Sequence, residues 1–237
     1  MVRRSPTARF MGGAWVFPGG VVDPTDGSDR VAALLNGDGR GDMKWVAAGV
    51  RELVEEVGLW LASPPFVERI DPGPPDAVWS HAERTGVRFD GAAPVLMANW
   101  ITPTMLPLRF DTRFYVAVVT PDLVAAPDAV EVDAAEWLAP AQALRRAATG
   151  ALLVPFPTRK TLEVLSGFDA AEDVVSHFRD RARVDPVRPR MRVTDAGDLE
   201  ALLPDEPGFE EIDETVIPDP DVLRRVAGGS GSPEVSA

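Results

Sequence analysis

The apolar positions of this chain fall into two rhythms, one helical and one extended. Between Lys44 and Leu61, Val46, Val50, Leu53 and Val57 recur at helical spacing, which predicts a helix over 44–61 with Gly58 as its terminator. Shorter helices are predicted over 76–85, ending near Gly86, and over Pro140 to Ala148. Two more are predicted over Thr158 to Leu165 and Ala170 to Arg183, with Thr158 and Asp169 as N-caps. Extended segments are predicted at Ala14–Phe17, Val95–Ile101, Thr112–Thr120 and Glu136–Leu138. Between them, 23–43 is rich in Asp and Gly and reads as a loop carrying one short helix.

Punctuation sets the organisation. Gly12-Gly13 and Pro18-Gly19-Gly20 flank the first strand, and the second of these marks a sharp turn. Residues 184–226 are rich in proline and acids and predict an extended arm with little regular structure, and 227–237 a disordered tail. This divides the chain into a main domain over 1–148, a helical extension over 149–183, the arm and the tail.

Composition removes whole classes of chemistry. The chain has no cysteine, which excludes disulfides, thiolate zinc sites, iron–sulfur clusters and a cysteine nucleophile. Two histidines, His81 and His177, are too few for a three-histidine zinc site. His81 is expected at the surface of its short helix. Against 24 basic residues stand 37 acidic ones, a net charge of -13, which disfavours nucleic acid and anionic membranes as partners. An anionic substrate stays open if a cation mediates the contact. The longest charge-free run, Gly91 to Leu108, is broken by prolines and is no membrane span. Arg3 and Arg4 precede no apolar run of the kind a signal peptide needs, so a cytoplasmic protein is expected.

The main helix carries the candidate chemistry. Glu52, Glu55 and Glu56 stand at i, i+3 and i+4, within about 100° of arc and nearly opposite the valine and leucine stripe. One reading is a solvated face in which Arg51 pairs with Glu55. The other is a carboxylate cluster for a hard divalent cation, Mg²⁺ or Mn²⁺, which takes its remaining ligands from water and substrate phosphate.

The neighbourhood of that cluster resembles a known family. Residues 51–59, RELVEEVGL, match the second half of the Nudix box at every defined position, and WVFPGG at 15–20 matches its approach strand and turn, with Gly20 as the opening glycine. The first half departs from the pattern. Asp26 stands where the box has glutamate, and 24 residues instead of seven separate it from Arg51, an insertion of 17. A long loop before a helix costs little entropy, so the fold survives it. Asp26 or Asp23 is then the substitute for the missing glutamate, unless its role is lost. A split box of this kind resembles the Nudix branch that includes animal peroxisomal coenzyme A diphosphatases, as do NWITPTMLPLRFDTRFYVAVV at 99–119, EVDAAEW at 131–137 and, more weakly, PFPTRKTLEVL at 155–165.

The resemblance implies an α/β Nudix fold, a mixed sheet between helices, followed by a C-terminal helical extension. Val2-Arg3-Arg4 would be the stub of its first strand, an edge cut short. It implies metal-dependent hydrolysis of a nucleoside diphosphate derivative, with coenzyme A or its acyl derivatives as first choice and ADP-ribose or an NADH-type dinucleotide as second. A Nudix-fold ligand sensor without turnover is the non-enzymatic rival. By the same resemblance Glu52, Glu55, Glu56 and the Gly20 carbonyl hold Mg²⁺ or Mn²⁺, Glu56 being the principal ligand. Arg51 orients the glutamates, and Glu131 is an additional ligand or general base. Arg109 and Arg113 are candidates for substrate phosphate, Arg109 for the 3′-phosphate of coenzyme A. Trp100 reads as a core tryptophan or as a platform for a base. The extension and arm leave a homodimer open.

Overall fold

Helix propensity and apolar periodicity dominate the local structure, and tertiary packing sets where the short strands begin and end. The computed structural model describes residues 1–8, 10–36, 43–71, 73–106, 108–120, 122–181, 183–194 and 199–215, so the expected tail at 227–237 lies outside the described residues. In chain order the elements are β1 (Val2–Arg4), β2 (Trp15–Val16), α1 (Asp29–Ala32), β3 (Leu35–Asn36), α2 (Met43–Val57), β4 (Leu59–Trp60), β5 (Phe66–Val67), α3 (Asp76–Thr85) and β6 (Phe89–Asp90). There follow β7 (Val95–Ile101), β8 (Asp111–Val116), β9 (Val132–Ala135), α4 (Pro140–Ala148), α5 (Phe156–Leu165), α6 (Ala171–Arg179), β10 (Pro186–Val187), β11 (Arg190–Val193) and β12 (Leu199–Leu202).

Two three-stranded sheets organise the molecule. In one, β1 lies between β2 and β9, antiparallel to both. The expected edge stub is therefore a central strand: Val2 is buried, and backbone bonds between Met1 and Glu136 extend the pairing with β9. In the other sheet β7 is central, antiparallel to β8 and parallel to β10. The strands at 186–202 correct the expectation of an unstructured arm. Pro186 and Val187 pair with Asn99 and Trp100, and β11 pairs with β12 as an antiparallel ribbon.

Helix α2 runs through the main core. Val46, Val50, Val54 and Val57 pack among Val2, Val31, Trp60, Trp79, Phe89 and Val132. The helix ends at Gly58 in the left-handed region (φ 67), where a Cβ would come within 3.1 Å of the Glu68 carbonyl. The chain then re-enters as β4, so the helix is shorter than the periodicity of 44–61 suggests. The ring of Trp60 stacks on Phe66 and Phe89 and touches His81 at 5.1 Å. This places His81 against the core edge and not on an open surface.

The extension covers the other side of the second sheet. Val174 and Phe178 of α6 pack on Val95 and Met97 of β7, with Phe114, Val116 and Phe168 around them. Both extension helices start without a side-chain cap: the N-caps are Pro155 and Ala170, and the expected cap Thr158 is buried one turn inside α5. The expected strand at Glu136–Leu138 lies instead at Val132–Ala135, because β1 fixes its register there.

Candidate active site

Strand β2 delivers the chain to the Pro18-Gly19-Gly20 turn, which lies against the carboxylate face of α2. The Gly19 N–H donates to Glu56 Oε2 at 3.0 Å. A Cβ on Gly20 would stand 2.3 Å from Glu52 Oε1, so any larger residue here would push the Glu52 carboxylate out of its present place. Glu52 and Glu56 are buried with the turn above them, which overturns the reading of a solvated glutamate face.

Arg51 ties the halves of the site together from below. Its Nε and Nη2 donate to the two oxygens of Asp26 at 3.0 Å each, a bidentate pair, and Nη2 also donates to the Val21 carbonyl at 2.8 Å. Its Nη1 donates to Glu52 Oε1 at 2.8 Å and to Glu55 Oε2 at 2.6 Å. Asp26 further accepts from the Asp23 N–H at 2.8 Å and from Trp79 Nε1 at 3.3 Å. Of the two aspartates weighed for the missing glutamate, Asp26 is the one joined to Arg51, and Asp23 caps the short 3₁₀ turn at Pro24–Gly27. The 17-residue insertion leaves from and returns to a point clamped by one guanidinium.

The electrostatics follow from burial. Desolvation pushes the Glu52 carboxyl up to about 7, against the opposing pull of Arg51. It pushes Glu56 up to about 8, against the Gly19 hydrogen bond. Glu55 is raised by the same cause. Burial also pulls the Arg51 guanidinium down, but its bonds to Asp26 and the charges of Glu52 and Glu55 outweigh that, and it stays firmly protonated. Glu131, exposed just before β9, adds like charge that raises all three glutamates, which places it at the same site.

One guanidinium cannot neutralise Asp26, Glu52, Glu55 and Glu56 together, and the donor set left over is all carboxylate oxygen, the chemistry of a hard divalent cation. With the side chains as they stand, no three such groups among the described residues converge on one point. Arg51 turns Glu52 and Glu55 toward itself and Gly19 holds Glu56. The residues fit a cation in charge and kind, and their carboxylates would rotate about the terminal torsions to meet it.

A large cleft of about 1740 Å³ opens over the carboxylates and is lined by Gly20, Glu52, Glu55, Glu56, Arg109, Arg113 and Glu131, so the structure brings all these sequence candidates to one cavity. Arg113 lies over the ring of Trp45, its guanidinium carbon 3.6 Å from the centroid. Arg109 is exposed at the rim. Trp100 meets Phe156 of the extension edge-on at 6.0 Å and is buried, as a core tryptophan would be. Sequence reasoning missed Trp45 and Arg4. The signal for Trp45 was its place seven residues before Glu52, hence on the same helix face. Arg4, a wall of the cleft whose charge draws Glu56 downward, gave none.

No family model matches the chain. It is 28% identical over 173 residues to nudix hydrolase 7 of Caenorhabditis elegans, covering 70% of this chain and 55% of that protein. The chain thus spans about half the length of that curated relative. The crystal structure of a Nudix hydrolase from Alicyclobacillus acidocaldarius superposes with a TM-score of 0.62 at 29% identity, over 74% of this chain and 86% of the other. The chain has the Nudix fold and is a relative of the Nudix hydrolases. Nudix hydrolases act on small nucleotide-type molecules and generally need divalent metal ions. No helix among the described residues is long and apolar enough to cross a membrane.

Proposed function

We propose that this chain hydrolyses the diphosphate linkage of a nucleoside diphosphate derivative, with coenzyme A or an acyl-coenzyme A as its substrate. The observation that carries the reading is the carboxylate trio beneath the Pro18-Gly19-Gly20 turn, Glu52 and Glu56 buried and Glu55 half-buried, at the floor of a cleft large enough for a nucleotide derivative. In this reading Glu52, Glu55, Glu56 and the Gly20 carbonyl hold Mg²⁺ or Mn²⁺, with Glu56 as principal ligand. The cation supplies charge neutralisation for the diphosphate and acidifies the attacking water. Arg51 orients Glu52 and Glu55 by ion pairing, and Glu131 at the cleft wall takes the proton of that water. The P–O bond to the bridging oxygen breaks, leaving two phosphate monoesters. Arg109 at the rim and Arg113 within the cleft supply positive charge for an anionic substrate, Arg109 for the 3′-phosphate of coenzyme A. The likeness of 99–119 to the split-box branch supports coenzyme A over other nucleotides.

Product analysis tests this. The protein is incubated with Mg²⁺ or Mn²⁺ and, separately, coenzyme A, acetyl-coenzyme A, ADP-ribose and NADH. Release of 3′,5′-ADP with phosphopantetheine is the expected result. Release of AMP from ADP-ribose or NADH alone would keep the chemistry and move the substrate. Tight binding without any product would make the chain a sensor.

A further inference from the structure

The last turn of α2 ends in carbonyl groups that no N–H of the helix itself can reach, so their partners come from elsewhere in the chain. The Glu55 carbonyl accepts from Arg69 Nη1 at 2.7 Å. The Glu56 carbonyl accepts from the Asp128 N–H at 2.9 Å, and the Val57 carbonyl from the Ala126 N–H at 2.9 Å. The segment leading into β9 is thus hydrogen-bonded, backbone to backbone, to the very residue that bears the Glu56 carboxylate.

Asp128 then folds the chain back on itself. Its Oδ1 accepts from the N–H groups of Val130 at 3.1 Å, Glu131 at 3.1 Å and Val132 at 2.9 Å, and its Oδ2 from Glu131 at 3.1 Å. Ala129 is carried into the left-handed region (φ 63), and its N–H donates to the Val132 carbonyl at 2.9 Å. A residue with a Cβ occupies that region at a cost, so the surrounding bonds must hold it there. On the far side the Glu131 carbonyl accepts from the Ser5 N–H at 2.8 Å, just where Val132 pairs with Arg4. The backbone of Glu131 is therefore fixed at both its N–H and its carbonyl, while the residue stays exposed at the cleft wall.

Asp128 lines the same cleft, but its chemistry is already committed. Both of its oxygens accept backbone N–H groups, and turning them to a cation or a water would release the turn that they hold. A general base must meet its proton at about 2.6–3.2 Å between heavy atoms, a tolerance that a loose loop does not keep. The turn supplies a rigid pedestal instead, joined at Asp128 to the end of α2 and carrying Glu131.

Resting on the reading of Glu131 as the base, we propose that Asp128 is a positioning residue, which holds Glu131 in register with the carboxylates of α2 and acts on turnover only through it. Steady-state hydrolysis of coenzyme A and of ADP-ribose in Mg²⁺ tests this with Asp128→Ala, Asp128→Asn, Glu131→Gln and the double variant of Asp128→Ala with Glu131→Gln. Asp128→Ala should lower kcat at least about tenfold and leave KM within about twofold. Asp128→Asn keeps a carbonyl oxygen for the N–H groups and should stay within about threefold of the wild type. Glu131→Gln should lower kcat by about 10²-fold, and adding Asp128→Ala to it should cost no more than about twofold further. In the metal-free protein, hydrogen exchange of the Val130, Glu131 and Val132 amides should quicken at least about tenfold in Asp128→Ala and not in Asp128→Asn. Ala129→Val, which the left-handed backbone disfavours, is the second variant should Asp128→Ala fail to fold, and its loss of kcat should likewise vanish in the Glu131→Gln background. A kcat that survives Asp128→Ala, or losses that multiply in the double variant, overturns the positioning role and leaves Glu131 as the base. Wild-type turnover in Glu131→Gln overturns the base and the positioning role together, and a wild type that cleaves neither substrate overturns the hydrolase reading with them.

Discussion

Glu56 is a buried acid whose charge the folded chain resists, and this separates its proposed role in chemistry from its role in stability. Glu56→Gln keeps the shape and can still accept from the Gly19 N–H. Turnover should fall by at least roughly 10²-fold while the melting temperature at pH 7.5 without metal stays level or rises. The pH dependence has the same origin. Unfolded, Glu52 and Glu56 release their protons near 4.5, whereas folded they hold them to about 7 and about 8. Folding therefore takes up protons across that interval, and stability from these groups is greatest at its acid end and is lost as pH rises. Melting temperatures in EDTA should decline from pH 5 to pH 8.5. A divalent cation prefers the ionised carboxylates, so Mg²⁺ should stabilise most at the alkaline end. Asp26 is the opposite case, since its loss leaves the buried Arg51 with too few partners. Asp26→Ala should cost about 3 kcal/mol in urea denaturation, the low end for a broken buried pair because Glu52 and Glu55 remain.

At the scale of elements, legibility followed locality. Helix α3 and its Gly86 stop, strand β7 and helix α4 were readable to the residue, because proline, glycine and apolar spacing are all local signals. The carboxylate trio and its turn were also visible in the sequence, though nothing there showed that Asp26 and Arg51 lie in contact across the insertion. The strand after Glu131 was misplaced by several residues, since its register depends on Val2 and Arg3, more than a hundred positions away. Strand β10 escaped notice because Pro186 reads as a breaker, yet a two-residue edge strand beside β7 tolerates it. Asp128 and Glu56 belong here too: their meeting is a fact of backbone pairing and not of composition. The extension is bound to the sheet through one small apolar cluster. Phe178→Ala should destabilise the chain by roughly 3–5 kcal/mol, read as a lower denaturation midpoint.

For the molecule as a whole, a net charge of -13 means that an anionic substrate approaches against a repulsive field. A bound cation reverses that field only locally, so substrate capture and metal loading should fail together on chelation, and raising salt should ease capture by screening. The clamp at Arg51 adds a different consequence. The box here is continuous in space and interrupted in the chain, and the interruption is itself anchored: Val31, Leu34 and Leu35 enter the core, while Arg30 pairs with Asp76 and Glu83 of α3. Reaction geometry and chain length between the two halves are thereby decoupled. The segment is thus held at a fixed port by its own core and ion-pair contacts, and the carboxylates of α2 keep their places across the break in the chain.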